Sequence, residues 1–571
     1  MNTAEGKKRN RVHPWRSVAL FLITAVVLLY GVIYPNLSVV INSFQRDGAW
    51  TVANYREILS QQIVLEAIVS SLGLSIATVF FCALVGVPLA FLFERFTFPG
   101  RRLFAALAAL PLVLPPLVGT VAFIFLVGET GILAHGIQTI FRLQNPPWRL
   151  RGWPALILFH TYTMYPFFYV LTGAGLRRID ASLAEAARSL GASKTTVLRR
   201  VLLPQLTPSL LAAALLTFMT SMASFSAPLL FGGDVRMLTL EIFRARQRGD
   251  FAIAITETVI LAVISLGALI FFQRYEGTRR FAAAAMKGAP RRRASIASGT
   301  ARVLATIFAI FFAIVLVLPV ATLFLVSFAQ EGSWTTQTFP AAYTFANYRR
   351  LFGDQWAAEV FFNSFTMSAI AAVAALLWSF AVVTLLRRGR NEQKFYGEGS
   401  RRLLSLLVLV PWALPGTVVA VSVAEAYGGP SLLLGSFVLV GTFWILPVVY
   451  FLRFMPLVVR ALQANMEQLD PTLEEAAGSL GARAWQRFMR VTLPLVWPGA
   501  VAGTLLAFVI ALGEYVASVL VFVPANRPIS IAIASELRDF NLGAAAAYGV
   551  VLIVIISISM IVAGRLEKLR G

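Results

Sequence analysis

Residues 180–192 read DASLAEAARSLGA, and residues 470–482 read DPTLEEAAGSLGA. The register is kept downstream of both copies, where Leu203-Pro204 matches Leu493-Pro494. A segment that recurs together with its flanking sequence indicates an internal repeat. We therefore expect the chain to consist of two halves with similar folds.

The composition is that of a membrane protein. Hydrophobic residues make up 58% of the 571 residues and charged residues only 13%, whereas a soluble chain has about 25% charged residues. The mean hydropathy is +0.76. These values exclude a soluble enzyme, a disordered protein and a fibre.

About twelve apolar stretches reach the length of about 20 residues that a bilayer requires. In the first half they are 16–35, 64–93, 103–127, 153–175, 206–231 and 251–273. In the second half they are 303–327, 359–386, 403–425, 433–455, 496–522 and 543–563. An even number of spans in each half makes the repeat parallel rather than inverted. The predicted fold is an all-α, polytopic membrane protein with two parallel six-helix repeats.

Charge patterning predicts the boundaries and the orientation. The halves are 1–273 and 303–571, joined by a basic cytoplasmic linker, 274–302. The net charge of +22 comes from Lys and Arg in short loops. Basic residues in such loops are typical of the cytoplasmic side of a membrane protein, and this explanation is favoured over nucleic-acid binding. Their distribution predicts that the N- and C-termini are cytoplasmic. One basic segment, 244–248, is an exception, because the count of spans places it in a loop on the outer side.

Each repeated segment reads as a helix–glycine–helix elbow, here named the first elbow (180–200) and the second elbow (470–490). Ser182 and Thr472, each followed three residues later by a glutamate, fit a capping box. Gly191 and Gly481 stand where a helix C-cap needs positive φ. A short basic helix follows, which we expect a proline, 204 or 494, to end.

Small residues on the elbows would permit close docking of a partner. For one copy, an ordinary capped loop helix without a partner is the favoured interpretation. Two copies in equivalent cytoplasmic loops instead favour a partner with two-fold symmetry. The small residues are Ala186, Ala187, Ala476 and Ala477.

The pattern Glu-Ala-Ala-x-x-x-Gly with a downstream Leu-Pro resembles the signature loop of permease subunits of type I, binding-protein-dependent bacterial ABC importers. The resemblance covers both halves and implies a fused permease with two transmembrane domains in the bacterial cytoplasmic (inner) membrane. It implies that each loop is a coupling helix docked on one of two ATPase copies, and that a periplasmic or lipid-anchored binding protein delivers the substrate. The matching positions are Glu185, Ala186, Ala187 and Gly191, and Glu475, Ala476, Ala477 and Gly481.

No catalytic or metal site is expected in this chain. Gly191-Ala-Ser-Lys194-Thr195 lacks the glycine directly before the lysine that a phosphate-binding loop needs. ATP and Mg²⁺ are therefore expected on separate ATPase subunits, and this chain is not an enzyme. The single cysteine, Cys82, and three scattered histidines match no metal-ligand spacing.

The sequence says less about the substrate than about the class of transporter. Asn54-Tyr55, the segment 224–233 and Leu512-Gly-Glu-Tyr515 resemble the ferric-iron branch of these permeases. Permeases for thiamine, phosphonate and phosphorylated sugars remain alternatives. A secondary transporter with two six-span halves is an alternative from another class, but it leaves the paired elbows unexplained.

Polar groups inside spans are costly and usually face a pathway. Such groups here are Glu514, Tyr515, His160, Tyr162, Thr220 and Ser224. The alternative roles are a buried structural hydrogen bond for Glu514, an interhelical hydrogen bond for His160 and helix packing for the hydroxyls. The span 496–522 contains no Lys or Arg, so the partner of Glu514 must be another span, water or the cargo. We hypothesise that Glu514 offers oxygen ligands to a cation.

Overall fold

The computed structural model describes residues 14–46, 48–277, 293–296, 298–334, 337–391, 398–430 and 435–568. The structure is 79% helical. Two short strand pairs occur: β1 (Gln45–Arg46) with β2 (Ala49–Trp50), antiparallel, and β3 (Phe96–Thr97) with β4 (Ala294–Ser295), parallel. Much of the predicted linker, 278–292, lies outside the described residues.

The first half contains fourteen α-helices within the described residues. They are α1 (Pro14–Leu28), α2 (Tyr34–Ser43), α3 (Ala53–Ser60), α4 (Gln62–Arg95), α5 (Arg101–Leu107), α6 (Pro116–Val127), α7 (Ile132–Ile140), α8 (Gly152–Arg178), α9 (Ala181–Ser189), α10 (Lys194–Val197), α11 (Leu203–Met222), α12 (Ser226–Phe231), α13 (Leu238–Arg248) and α14 (Phe251–Gly277).

The second half repeats most of this order. Its helices are α15 (Gly299–Val326), α16 (Ala346–Gly353), α17 (Gln355–Asn391), α18 (Glu398–Ala413), α19 (Gly416–Ala426), α20 (Ile445–Glu467), α21 (Pro471–Ser479), α22 (Ala484–Arg487), α23 (Leu493–Leu512), α24 (Val516–Val521), α25 (Ile529–Arg538) and α26 (Leu542–Lys568).

The described helices confirm an all-α membrane fold with two parallel repeats. Ten helical segments are long and apolar enough to cross a membrane, and the bent pair α18–α19 makes an eleventh. The remaining predicted span, 153–175, corresponds to α8, a 27-residue helix. It carries polar side chains such as His160 and Thr172, which are buried inside the protein.

Two predicted spans are bent and one is displaced. The helices α18 and α19 meet at 105°, and the related span is broken before Pro115, where Leu114 is extended at ψ 124°. A residue before proline disfavours the helical conformation, so continuous helices over 103–127 and 403–425 were wrong expectations. The tenth span is Ile445–Glu467 rather than 433–455, because Gly441 at φ +87° keeps the preceding segment out of the helix.

The first span of each half packs against the other half. Leu28 and Val32 belong to the hydrophobic cluster built mainly from the second half, and the Tyr427 hydroxyl donates to the Tyr30 carbonyl at 2.5 Å. Reciprocally, Leu316 of α15 belongs to the cluster that holds the core of the first half. The halves are therefore interlocked, while the domain boundaries 1–273, 274–302 and 303–571 stay predictions.

The motif Ala-Asn-Tyr-Arg has the same structural role in both halves. The Asn54 amide donates to the carbonyls of Ser43 and Gln45 at 3.1 and 3.0 Å, and the Tyr55 hydroxyl lies 2.7 Å from the Ser43 hydroxyl. Asn347 and Tyr348 repeat these bonds at the end of the first span of the second half. Both copies thus tie a short helix to the C-terminal end of a span.

Candidate functional site

An aspartate caps the first helix of each elbow. The Asp180 side chain accepts from the Ser182 backbone N–H at 2.9 Å, and Asp470 accepts from Thr472 in the same way. The prediction that Ser182 and Thr472 are the N-caps is wrong, because a charged carboxylate is the stronger acceptor at the positive end of a helix. The backbone N–H of Thr472 lowers the pKa of Asp470. This cap is therefore lost only as the pH falls through the lowered pKa.

A glycine with a left-handed backbone ends each of these helices, as the sequence predicted. The φ angle is +83° at Gly191 and +84° at Gly481. The Ala192 N–H donates to the Ala187 carbonyl at 3.0 Å, and the second elbow repeats this bond, which is the Schellman pattern. A Cβ at either glycine would meet no described atom within 4 Å. Only the backbone conformation therefore requires glycine here.

The outward faces of the two elbows match. At the end of each helix a leucine points away from the protein, with Leu190 89% and Leu480 88% exposed. The two elbows thus expose the same large apolar side chain at related positions. The predicted docking residues beside them are exposed or half-buried: Glu185, Ala186, Ala187, Glu475, Ala476 and Ala477.

The inward faces of the elbows differ. In the first elbow Ala184 is buried in an apolar cluster with Val197 and Leu202. In the second elbow Glu474 takes the related position, where it accepts from Arg387 Nη1 at 2.8 Å and from the Thr492 hydroxyl at 2.7 Å. The same elbow geometry is thus held by apolar packing in one half and by a charged network in the other.

The second helix of each elbow runs into a membrane span without interruption. α10 continues into α11 through the π-helical turn Leu198–Leu202, and α22 continues into α23 through Phe488–Thr492. The prediction that Pro204 and Pro494 end these helices is wrong. Each proline lies in the first turn of the following helix, directly after the wider π-helical turn, which accommodates its missing N–H.

The fifth span of each half is broken inside the membrane region, at residues 223–225 and 513–515. These segments, named the first break and the second break, separate α11 from α12 and α23 from α24. Continuous helices over 206–231 and 496–522 were therefore wrong expectations, and Glu514 lies in a break rather than within a helix. Non-helical backbone at membrane depth needs polar partners inside the protein.

His160 and Ser224 form the polar core of the first break. The Ser224 hydroxyl lies 2.9 Å from His160 Nε2, and the hydroxyls of Ser221 and Thr78 lie 3.2 and 3.3 Å from His160 Nδ1. The Thr239 hydroxyl donates to the Ser224 carbonyl at 2.7 Å. The imidazole is buried and hydrogen-bonded at both nitrogens, so it joins three helices to the break.

In the second break, an ion pair replaces the hydrogen bonds that His160 makes in the first break. Glu514 Oε1 accepts from Arg453 Nη1 at 2.8 Å and from the Ala517 N–H at 2.9 Å. The hydroxyls of Ser518 and Ser530 donate to the Glu514 carbonyl at 2.6 and 2.8 Å. The partner of Glu514 thus comes from another span, as one of the alternatives stated, and this carboxylate is not a free cation ligand in the present conformation.

The two breaks meet where the halves join. The rings of Phe225 and Tyr515 are 5.8 Å apart between centroids, and a Cβ on Gly513 would lie 2.8 Å from the Pro115 side chain. Two other predicted pathway residues lie elsewhere. The Tyr162 hydroxyl donates to the Leu316 carbonyl of α15, and Thr220 is exposed and bonded to its own helix.

Comparison with known proteins finds a match to the family described as the binding-protein-dependent transport system inner membrane component. The match covers residues 83–280 and again 389–570, which together are more than half of the chain. The chain belongs to this family. Two matches in one chain confirm the fused, two-half form of an ABC importer permease, and the secondary-transporter alternative loses its support.

Two of the relatives align over both halves of this chain, and a third aligns over about half of it. A probable ABC transporter permease of Sinorhizobium fredii is 31% identical over 92% of this chain and 90% of its own length. A ferric transport system permease of Actinobacillus pleuropneumoniae is 25% identical over 94% of this chain and 76% of its own. A probable molybdenum ABC transporter permease of Haloferax volcanii is 31% identical over 45% of this chain and 88% of its own.

Sequence reasoning missed four residues of the candidate site. Arg453 lies in an apolar run, Phe451-Leu-Arg453-Phe-Met455, where a lone arginine was a usable signal. A Cβ on Gly416 would lie 1.6 Å from Arg453 Nη1, so this glycine makes room for the guanidinium. Leu190 and Leu480 carried a weaker signal, since a leucine before a C-cap glycine is ordinarily a packing residue.

We expect Gly481→Val to impair the permease while leaving it folded. A β-branched residue in the left-handed region costs about 1–2 kcal/mol, which would distort the end of the second elbow. ATP-driven uptake should fall several-fold, and the melting temperature of the purified permease should change little. Gly481→Asn is the matched control, because asparagine tolerates this conformation. Equal uptake by the valine and asparagine variants would refute the requirement.

Proposed function

We propose that this permease carries both transmembrane domains of an importer and docks one ATPase subunit on each elbow. The observation that carries the proposal is the pair of matching outward faces, each with an exposed leucine beside an exposed Glu-Ala pair. Since both elbows are present in one chain, two ATPase copies would bind one copy of the permease. ATP and Mg²⁺ would bind to those subunits, and this chain would supply no catalytic residue.

The elbows would lie on the cytoplasmic side of the bacterial inner membrane. Arg177, Arg387 and Arg401 lie at the same end of the bundle as the elbows, judged by their positions at the adjoining helix ends, and basic residues favour the cytoplasm. An even number of spans then puts the N- and C-termini on that side too. A periplasmic or lipid-anchored binding protein would deliver the substrate to the opposite end.

Native mass spectrometry of the assembled transporter should give one permease chain with two ATPase chains. The reason is that each elbow offers a complete outward face and the chain contains two. Replacing Leu480 by Asp should leave a particle with fewer ATPase chains, whereas Leu473→Asp, on the same helix but only 46% exposed, is the control for a general effect of charge. Two permease chains in one particle would contradict the proposal.

The substrate is proposed to be ferric iron. The support is the ferric transport permease of Actinobacillus pleuropneumoniae, which aligns over nearly the whole chain. Asn54-Tyr55 no longer adds to this support, because both halves use that dipeptide to tie down a span. Molybdate is the main competitor, since the Haloferax volcanii relative carries the name of a molybdenum permease. Thiamine, phosphonate and phosphorylated sugars remain weaker alternatives.

Cells that lack this permease should accumulate less radioactive ferric iron than the parent strain, while their uptake of molybdate and thiamine stays unchanged. Re-expression of the intact permease should restore iron uptake, and the Gly481→Val variant should not. Depletion of ATP should stop this uptake, whereas collapse of the proton gradient at constant ATP should not. If cells that lack the permease took up iron normally but lost molybdate uptake, the substrate would be an oxyanion rather than iron.

The translocation path is proposed to pass between the two breaks, next to Glu514, Tyr515, His160 and Ser224. The breaks meet at the junction of the halves, where the rings of Phe225 and Tyr515 are in contact. The cargo would meet the Arg453–Glu514 pair there rather than a free carboxylate. This replaces the simpler hypothesis that Glu514 alone offers ligands to a cation.

A double-mutant cycle separates a pathway role of this pair from a structural one. Glu514→Gln and Arg453→Gln each leave one charge without its partner, and loss of a partner in a buried pair costs about 3–5 kcal/mol. Both single variants should melt at lower temperature, and the double variant should regain most of the loss. We expect the double variant to transport iron several-fold more slowly than wild type. Wild-type transport by a folded double variant would make the pair purely structural.

A further inference from the structure

A charged cavity lies in the first half at the end opposite the elbows. The starts of α4 and α14, the helix α13 and the loop before it enclose about 470 Å³. α4 fixes this position, because its other end carries Glu94, which pairs with Arg177 just before the first elbow. The charged residues that line the cavity are Asp234, Arg236, Glu241, Arg244, Arg248 and Glu257.

The three arginines of this cavity are already paired. Arg244 Nη1 lies 2.6 Å from Glu241 Oε1, and Arg236 reaches the same oxygen at 3.5 Å. Arg248 pairs with Asp250 at 3.2 Å, outside the cavity lining. Arg236 Nε also lies 3.8 Å from Glu66 Oε2. Each of the three arginines thus has an acidic partner and does not need an anionic ligand.

Glu257 is different. Its side chain is 2% exposed, and its Oε2 has no hydrogen-bond partner among the described residues. The adjacent hydroxyls do not help, because Thr256 and Thr258 donate to carbonyls of their own helix. A carboxylate oxygen removed from water without a donor is costly and uncommon in proteins. Glu257 is one of the residues that line the cavity, so the cavity wall includes an acceptor without a donor among the described residues.

The fold itself does not require this carboxylate. Thr239 and Ser530 donate to the first and the second break and are equivalent positions of the two halves. The same sequence offset relates Glu257 to Tyr548. Tyr548 is buried, and its ring stacks on Phe361 at 5.6 Å. The second half thus fills the related position with an aromatic ring, while the first half leaves a charged cavity.

We propose that the cavity is a binding site for an organic ammonium ion, whose N–H groups donate to Glu257. A carboxylate can only accept, and a charged N–H donor supplies both the proton and the opposite charge. The apolar lining residues Ile63, Val64 and Ile253 would contact the alkyl part of the ligand. A bare Ca²⁺ or Mg²⁺ ion fits less well, because it takes about six or more oxygen ligands.

The probe is n-butylammonium chloride, added to the purified permease in lipid nanodiscs and compared with sodium chloride at equal ionic strength. Calorimetry should show saturable binding to wild type, with a rise in melting temperature of about 2 °C or more. Glu257→Gln keeps the shape and removes the charge, so binding should be lost. Glu66→Gln, which removes an exposed carboxylate beside Arg236, should bind as wild type does.

Ile253→Phe gives an independent test in case the Gln variant does not fold. It places a larger side chain one helical turn from Glu257, leaves Glu257 in place and should weaken binding. Absence of binding to wild type would overturn the proposal and make Glu257 a buried, protonated side chain. Binding that survives both variants, or equal binding of n-butanol, would overturn it as well. None of these readouts depends on the transported substrate.

Discussion

Backbone that leaves the helical conformation inside a membrane must find its hydrogen bonds within the protein. The fifth span of each half meets this constraint in the same way. A hydroxyl from a later helix, α13 or α25, donates to a carbonyl of the break. The Thr239 hydroxyl donates to the Ser224 carbonyl, and the Ser530 hydroxyl donates to the Glu514 carbonyl. These bonds hold α13 and α25 across the end of the bundle, and thereby position the ring contact between Phe225 and Tyr515. The junction of the two halves depends on this arrangement.

The two halves share their geometry but not the chemistry that stabilises it. The side chain of the first break is held by a neutral hydrogen-bond network around His160, and that of the second by the Arg453–Glu514 ion pair. The first elbow rests on buried Ala184 and the second on the charged Glu474. A charged group that loses its partner is left with an uncompensated charge. We therefore expect the second half to be the more sensitive to single substitutions.

Contacts between the halves make the permease one structural unit. The first span of each half packs on the other, so neither six-helix set encloses its own core alone. Arg293, near the end of the predicted linker, pairs with Glu94 at 2.9 Å, and Glu94 also pairs with Arg177. Arg293 is thereby held close to the start of the first elbow.

Much of this architecture followed from local sequence patterns. The apolar stretches gave the spans, because the bilayer sets their length, and the repeated segment gave two halves with one elbow each. Gly191 and Gly481 were identified as left-handed caps because that conformation strongly favours glycine. Features of this kind depend on neighbouring residues along the chain, so the sequence carries them directly.

Other features were decided only by tertiary structure. The breaks at 223–225 and 513–515 lie in apolar runs that read as continuous helix. They are stabilised by hydroxyls of separate helices, α13 and α25, which donate to a carbonyl of each break. The pairing of Glu514 with Arg453 joins two spans, and the exchange of first spans joins two halves. The exposure of Leu190 and Leu480 depends on how each elbow packs. Hydropathy along a chain describes burial in lipid and protein alike, so it cannot distinguish these long-range partners.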